Sequence, residues 1–349
     1  MKKWIVTGIS GSGRIELLEE LKRHAVGIGK TVAVYDVGEL IREECKRDGI
    51  EFTDQFILDL DRNLLRALRS AALKEVQIQL HKQAGVDIQF IGVHATFRWK
   101  TRLIPGISYR DLSDIEPDGF INVINGVREV CLGNMKNPKW NRKSVPNLEE
   151  SQEWMTEEEF ITEMLGQFFD KPVFLVARKH NIENLADLFF SQKKKVYLSY
   201  PITAVREENP TLLQQIQGPI LRRLQNLFVV FNPLTIKDMS LTYNLPKGEI
   251  PELVEQLTPK AKKIIKTRTI ERDFQFIDQS DAVVVFYLTD KLSVGVLSEI
   301  QYAYRNQKPV YVVYRGTGGP FFEDVTTVIE KDVESLMKKL KQFAREKQV

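Results

Sequence analysis

The chain has 349 residues, of which 43% are hydrophobic, so it is long enough for two domains of ordinary size with a core in each. Its formal net charge of +3 is too balanced to indicate a protein that binds nucleic acid. The two cysteines, Cys45 and Cys131, lie far apart, which indicates reduced thiols rather than a disulfide framework or a metal site. No apolar run reaches membrane-spanning length and no signal peptide is recognised, so we expect a cytoplasmic protein without a membrane partner.

The first elements along the chain are a strand, a glycine-rich turn and a helix. Trp4–Thr7 is a short apolar strand, and a helix is predicted from Ile15 to about His24. Glycines in such a turn allow backbone N–H groups to face an anion at the N-terminus of the helix, so the turn predicts a phosphate loop. Its candidate nucleotide-binding residues are Gly8, Ser10, Gly11, Ser12, Gly13 and Arg14.

Apolar strands and amphipathic helices then alternate through the first half, which predicts an α/β layered domain. The segment Leu132–Thr156 is polar and irregular, and its Trp140 and Trp154 either stack on a base or hold the loop against the core. Thr156 and Glu159 have the spacing of a helix N-cap and its third residue, so a helix is expected to begin there. The predicted strands are Thr31–Asp36, Asp87–His94, Phe120–Asn125 and Pro172–Ala177, and a helical pair covers residues 54–84.

This half resembles the adenylate kinase-like P-loop proteins, and the archaeal adenylate kinases in particular. The resemblance rests on three motifs in the family's order, at residues 6–13, 36–40 and 92–96. It implies a P-loop kinase-like three-layer sandwich and a nucleotide as ligand.

The phosphate loop departs from the family pattern. A working loop ends in Gly-Lys-Ser/Thr, where the lysine holds phosphates and the hydroxyl holds magnesium. Arg14 and Ile15 take those positions here, and Gly92 takes the position of the family's acidic partner. Phosphoryl transfer, nucleotide binding without transfer, and a purely structural role all stay open. We expect no transfer from ATP, with weak ATP binding as the cofactor interaction that remains possible.

A polar stretch at Ser191–Lys195 predicts the domain boundary, with a first domain over residues 1–191 and a second over 192–349. The second half again alternates strands with helices. Its predicted strands are Val196–Ser199, Leu227–Phe231, Ala282–Tyr287 and Pro309–Tyr314. Its predicted helices are Pro210–Gln225, Pro259 to about Gln279, Gly295–Gln307 and Val333–Ala344.

A carboxylate lies where a ligand would bind in such a fold. The last two strands and the helix between them form a βαβ unit, whose strands should be parallel. Glu299 stands in the first turns of that helix, where the helix dipole favours an ionised carboxylate at neutral pH. Two interpretations stay open for Glu299: a nucleophile above a cleft, or an acidic residue that only complements the dipole.

The second half resembles the nucleoside 2-deoxyribosyltransferase family, and most closely its 2′-deoxynucleoside 5′-monophosphate N-glycosidases. The motifs that carry the resemblance are Glu271–Asp273, Ser280–Val285 and Ser293–Glu299. The resemblance implies a flavodoxin/Rossmann-like parallel-sheet domain and a homodimer or higher homo-oligomer in which residues 315–319 reach a neighbouring site. It implies no cofactor and no metal.

The resemblance also assigns site residues. It implies a catalytic set of Glu299 as nucleophile, Asp273 as orienting or proton-relay carboxylate, and the nearby Tyr197. The residues implied to bind substrate or phosphate are Ser199, Tyr200, Thr203, Arg206, Gly295 and Thr317. Tyr200 and Gln301 depart from the family, which has glycine at both positions.

The sequence therefore favours cleavage or transfer at the N-glycosidic bond of a nucleoside or nucleotide, through a glycosyl intermediate on Glu299. The first alternative is a non-catalytic nucleotide-binding sensor or regulator that uses one or both domains. A further alternative is a nucleoside or nucleotide monophosphate kinase.

Overall fold

The computed structural model describes residues 2–50, 60–83, 85–99, 102–137, 140, 145–243, 255–316 and 318–346. It confirms the predicted α/β class, with two separate sheets that are parallel throughout. The chain divides into two compact units, the first formed by residues 1–179 and 236–268 and the second by 180–235 and 269–349. Within the described part of the chain, no helix is both long enough and apolar enough to cross a bilayer.

The first unit is built on a five-stranded sheet. Counting only its own strands in chain order, the sheet has the order 2-3-1-4-5, so the first strand is central. Its strands are β1 (Lys2–Thr7), β2 (Val32–Asp36), β3 (Ile88–Gly92), β6 (Gly119–Ile124) and β7 (Val173–Ala177). A separate antiparallel hairpin, β4 (Thr96–Trp99) and β5 (Arg102–Pro105), follows β3.

Helices join and cover these strands. The helices of the first unit are α1 (Arg14–Gly27), α2 (Val37–Arg47), α3 (Arg62–Lys82), α4 (Tyr109–Ser113), α5 (Val127–Lys136), α6 (Leu148–Phe169) and α11 (Ser240–Tyr243). A core of apolar side chains from the sheet, α2 and α3 fills the space between them, and it includes Ile5, Ile41, Leu73, Ile91 and Phe120. Strand β1 is buried along its last four residues, as expected for the central strand of a sheet covered on both faces.

The second unit has a parallel sheet of five strands in the order 2-1-3-4-5. This is the flavodoxin-like order, in which the direction of winding switches between the first and third strands. The strands are β8 (Lys195–Ser199), β9 (Val229–Phe231), β10 (Ala282–Tyr287), β11 (Val310–Tyr314) and β12 (Val328–Glu330). The switch point therefore lies between β8 and β10, which pair from Val196 with Ala282 to Ser199 with Val285.

Helices again connect the strands of this unit. They are α7 (Ile182–Phe190), α8 (Ile202–Glu208), α9 (Pro210–Gln215), α10 (Leu221–Leu227), α13 (Val294–Arg305), α14 (Pro320–Asp324) and α15 (Val333–Arg345). Helix α12 (Pro259–Asp278) begins in the first unit and ends in the second. The predicted boundary at residue 191 falls at the end of α7, inside the second compact unit.

Several local predictions are wrong. The helix expected to begin at Thr156 begins at Leu148, because Asn147 and Glu150 form a complete capping box upstream. The hairpin β4–β5 was not predicted. The predicted helix Pro210–Gln225 is interrupted by a π-helical turn over Ile216–Ile220, which contains Pro219.

Candidate functional site

The glycine loop follows β1 and ends at the first residue of α1. Gly8, Gly11 and Gly13 have φ angles of 147°, 82° and 76°, which side chains rarely adopt. A Cβ at Gly8 would lie 2.7 Å from the carbonyl oxygen of Val123, and one at Gly11 would lie 2.7 Å from that of Val130. The backbone thus curves tightly against neighbouring main chain, and glycine is required for both the conformation and the close approach.

The Ser12 hydroxyl lies inside this curve. Its side chain is 1% exposed, and Oγ has no hydrogen-bond partner among the residues that the structure describes. A Cβ at Gly8 would lie 2.8 Å from Oγ, which shows that the hydroxyl faces the beginning of the loop. A buried hydroxyl without a partner costs about 1–3 kcal/mol, and the N-terminus of a helix attracts anions. The N-terminus of α1 is therefore a site where an anion is favoured, and the Ser12 hydroxyl lies buried against Gly8 at the start of the same loop.

Arg14 does not extend over the loop as a phosphate-binding lysine would. Its guanidinium is buried, and Nη1 donates to the carbonyl oxygens of Gly8 at 2.7 Å and Val93 at 2.8 Å. Burial lowers the pKa of Arg14, while the carboxylates of Asp36 and Glu158 oppose that shift. The charge therefore serves to tie the ends of β1 and β3 together under the loop.

Ile15 and Gly92, the two other departures from the pattern of a working phosphate loop, lie in contact with each other. A Cβ added at Gly92 would lie 2.7 Å from Cδ1 of Ile15, so the isoleucine fills the space that a side chain at residue 92 would need. Ile15 carries no oxygen and Gly92 carries no carboxylate, so neither residue supplies a side-chain ligand for magnesium. The part of the chain that the structure describes contains no group of three or more metal-ligating side chains.

Glu158 of α6 is a buried carboxylate that the sequence did not single out. It accepts hydrogen bonds from the backbone N–H groups of Gly8 at 2.9 Å, Ala95 at 2.8 Å and Thr96 at 2.7 Å, and from the Thr96 hydroxyl at 2.9 Å. Burial raises the pKa of Glu158, and these donors oppose the shift. Glu158 thus anchors the start of the loop to the segment after β3, a role visible only once α6 is placed.

Side chains from α5 and the segment after it also hold the loop. Ser10 Oγ donates to Asn134 Oδ1 at 2.8 Å, and Trp140 Nε1 donates to Ser10 Oγ at 3.2 Å. Trp154 is buried, and its Nε1 donates to the carbonyl oxygen of Thr96 at 3.2 Å. Both tryptophans therefore hydrogen-bond within the protein, as expected if they hold the loop against the core.

In the second unit, Glu299 lies at the switch point of the sheet. The hydroxyl of Tyr197 donates to its Oε1 at 2.9 Å, and that of Ser199 donates to Oε2 at 2.5 Å. Tyr197 and Ser199 stand two residues apart on β8, so the pleat of the strand directs both side chains to the same face of the sheet. Both are fully buried, whereas Glu299 keeps partial solvent access. The structure thus brings together three of the residues that the sequence selected.

The expected ionisation of Glu299 is corrected by the structure. Burial and the nearby charge of Asp273 raise its pKa to about 8, against the two hydroxyl donors that lower it. Desolvation therefore outweighs the favourable helix N-terminus on which the expectation depended. Burial also raises the pKa of Asp273, which accepts from Arg272 Nη2 at 3.0 Å. A pKa of about 8 keeps Glu299 mostly protonated at neutral pH.

The remaining predicted residues of the second unit make no hydrogen bond to Glu299 among the described residues, although Tyr200 lies close enough to interact electrostatically with Glu299 and Asp273. Tyr200 is buried in the apolar core, and its hydroxyl accepts from Gln217 and donates to Asn232 at 3.5 Å. Its ring therefore packs into the protein instead of standing in a ligand pocket. The exposed positions are Thr203, Arg206 and Gly295, and Thr317 lies outside the residues that the structure describes.

Comparison with known proteins bears mainly on the first unit. A family model described as an AAA domain matches residues 7–150, which include the glycine loop. No curated protein matches the chain. Shikimate kinase from Bacteroides thetaiotaomicron aligns at 13% identity over 54% of this chain and 95% of its own, with a TM-score of 0.35. The structure of TT1252 from Thermus thermophilus aligns at 15% identity over 54% of this chain and 92% of its own, with a TM-score of 0.31.

The predicted enzyme class, an N-glycosidase or nucleoside deoxyribosyltransferase, is wrong. The matched family lies on the glycine loop and the strands around it, the parts that P-loop proteins use to hold nucleotide phosphates. No finding supports a deoxyribosyltransferase-like second domain, so the sequence resemblance of that half is not borne out. The central first strand, the loop after it and the 2-3-1-4-5 parallel order give the first unit a P-loop kinase-like fold.

Proposed function

We propose that the protein is a nucleotide-binding protein whose phosphate loop binds its ligand without transferring a phosphoryl group. The observation that carries this proposal is the pairing of two opposite features in one loop. The glycines and the helix N-terminus that suit an anion are present, whereas Ile15 and Gly92 meet in an apolar contact and provide no magnesium ligand.

Support for binding comes from the loop backbone and from Ser12. Three glycines with positive φ shape the curve that leads into the 14-residue helix α1, whose N-terminus favours negative charge. The unpartnered Ser12 hydroxyl is directed into that curve. A phosphate of a nucleoside diphosphate or triphosphate is the ligand that these groups fit.

Support for the lack of transfer comes from Arg14 and Ile15. Transfer requires a positive charge that follows the migrating phosphate and a magnesium ion that bridges the phosphates. Arg14 is occupied by two carbonyl oxygens beneath the loop, and Ile15 packs at Gly92. Neither residue is arranged for those tasks.

We further propose that the Glu299 cluster is a second ligand site of the same protein. Its position at the switch point of a parallel sheet is where ligands bind in such folds. Three polar side chains, Tyr197, Ser199 and Asp273, surround a carboxylate that keeps solvent access. These features favour a nucleotide sensor with one or two ligand sites. We propose, in addition, that the protein forms a homo-oligomer.

Calorimetric titration with ATP, ADP and adenosine tests the first site. We expect ATP and ADP to bind and adenosine to bind much more weakly, because the loop contacts phosphate. Ser12→Ala should weaken ADP binding about tenfold or more, since a hydrogen bond to a charged group contributes about 1.5–3 kcal/mol. Ser113→Ala, in α4 of the same unit, is the matched control and should leave affinity unchanged.

Two results would contradict the proposal. One is the absence of any heat or competition with ATP and ADP at millimolar concentration. The other is equal binding of adenosine and ADP by a protein in which Ser12→Ala has no effect. Either result would leave the loop a structural element only.

A further inference from the structure

The first two residues after β7 are basic, and each is paired with a helix that starts beside the glycine loop. Arg178 Nη1 and Nη2 donate to the two carboxylate oxygens of Glu20 in α1, at 3.0 Å and 2.6 Å. Lys179 Nζ donates to Glu129 of α5 at 2.7 Å. The backbone N–H of Arg178 donates to the carbonyl oxygen of Ile124 at 2.7 Å, which continues the pairing of β7 with β6 and fixes where the arginine side chain starts.

The side chain of Arg178 lies against the glycine loop itself. A Cβ at Gly13 would lie 2.9 Å from both Cδ and Nε of Arg178, so the arginine stem occupies the space beside the N-cap residue of α1. Glu20 stands seven residues beyond Gly13, which is about 10 Å along the axis of a helix. The guanidinium is thus held on the side of α1, while its stem lies at the end of the helix where an anion is favoured.

The basic residue of the loop itself, Arg14, is not directed at an anion. Its guanidinium is held beneath the loop by the carbonyl oxygens of Gly8 and Val93. Glu16, exposed in the first turn of α1, adds a negative charge near the same helix end. A phosphate bound there is therefore stabilised by a positive charge that comes from another segment, such as the one after β7.

The ion pair of Arg178 with Glu20 is of a kind that a ligand can exchange. The two side chains are 23% and 38% exposed, and ion pairs with such access to water contribute little to stability. The arginine fork matches a phosphate as well as a carboxylate, and its hydrogen bonds to phosphate are charge-assisted. Because the stem already lies beside Gly13, rotation about its bonds moves the guanidinium from Glu20 toward the N-terminus of α1.

We propose that Arg178 contacts the nucleotide phosphate in place of Arg14, and that Glu20 competes with the phosphate for the same guanidinium. This inference rests on the proposed nucleotide binding and adds to it the cation that the ligand uses. Glu20 opposes binding, because Arg178 must leave the carboxylate before it reaches the phosphate. The two members of the ion pair therefore have opposite effects on affinity, whereas a pair that only braced the fold would give both members the same effect.

Calorimetric titration with ADP and with adenosine tests the exchange. Arg178→Gln should weaken ADP binding about tenfold or more, because charge-assisted hydrogen bonds to the phosphate are lost, and it should not change the weak binding of adenosine. Glu20→Gln should tighten ADP binding about threefold or more, because the competing carboxylate is removed. The double variant should match Arg178→Gln alone, because Glu20 acts only through Arg178. Lys179→Gln removes a positive charge at the next position and is the matched control, expected within about twofold of wild type.

The outcomes separate this inference from the proposal on which it rests. ADP binding by the wild type that is unchanged in Arg178→Gln would overturn the inference and leave nucleotide binding in place. Equal weakening by Arg178→Gln and Glu20→Gln would also overturn it, since the pair would then only brace the loop. If Arg178→Gln does not fold, Glu20→Gln still decides, because ADP binding that is unchanged or weaker in that variant contradicts the competition. A wild-type protein that does not bind ADP would refute both the inference and the proposed function.

Discussion

The substitution Glu299→Gln tests the unusual ionisation of the second site. The unfolded chain releases the Glu299 proton near pH 4.5, whereas the folded protein keeps it until about pH 8. Between these values the folded state binds one more proton than the unfolded state. The free energy of unfolding therefore falls by about 1.36 kcal/mol per pH unit as pH rises.

The size of the effect follows from the width of that interval. Integrated over the whole interval, the loss is on the order of 4–5 kcal/mol, and the partial solvent access of Glu299 reduces it to about 2–4 kcal/mol. Glutamine cannot titrate, so the variant lacks this loss. We expect Glu299→Gln to be within about 1 kcal/mol of wild type near pH 5 and more stable by about 2–4 kcal/mol near pH 9.

Urea denaturation provides the assay, with an internal control supplied by the sequence. All four tryptophans, Trp4, Trp99, Trp140 and Trp154, belong to the first unit, so their fluorescence follows that unit. The far-UV circular dichroism transition of the second unit should shift in the variant, and the fluorescence transition should move far less. Glu323→Gln, at an exposed position of the same unit, is the matched control. A stability difference that stays constant between about pH 5 and pH 9 would refute the reasoning.

The remaining predictions concern the first unit. Gly92→Ala should destabilise the first unit by about 1–3 kcal/mol, because the added Cβ would lie 2.7 Å from Ile15 Cδ1. Adding Ile15→Val should recover part of that loss, and urea denaturation followed by tryptophan fluorescence measures both variants. An equal loss of stability in the single and the double variant would show that the contact between residue 92 and Ile15 does not cause the destabilisation. Glu158→Gln should cost about 2–4 kcal/mol, since an amide nitrogen would then face backbone donors at Gly8, Ala95 or Thr96, and the same assay measures it. An unchanged midpoint would contradict the anchoring role, and Glu43→Gln, at an exposed position of α2, serves as the control.

Hydrophobic pattern and turn chemistry were sufficient to predict most of the fold. Strands such as Ala282–Tyr287 are buried on both faces and so read as continuous apolar runs, and the structure places this one at the predicted bounds. The hairpin β4–β5 escaped prediction because its residues, among them Arg98 and Arg102, lack the apolar alternation of a half-buried strand. The start of α6 was misplaced because two capping signatures compete in the sequence, and only packing decides between Asn147 and Thr156.

The candidate sites were less predictable, because their properties depend on contacts between distant segments. The sequence shows Ile15 and Gly92 as two separate departures, but their contact exists only after β1, α1 and β3 come together. Glu158 looks like one acidic residue among several in a helix, and nothing local indicates that it receives four hydrogen bonds. For Glu299, the local helix dipole predicted an ionised carboxylate, whereas burial beside Asp273 has the larger effect.

The central claim, nucleotide binding without phosphoryl transfer, is tested most directly by calorimetry of ATP with magnesium and then with a chelator. Because Ile15 and Gly92 provide no magnesium ligand, the account predicts dissociation constants that agree within about twofold and no ADP formed from ATP during incubation with nucleoside monophosphates. Binding that tightens tenfold or more with magnesium, together with transfer that disappears in Arg14→Ala, would contradict the account.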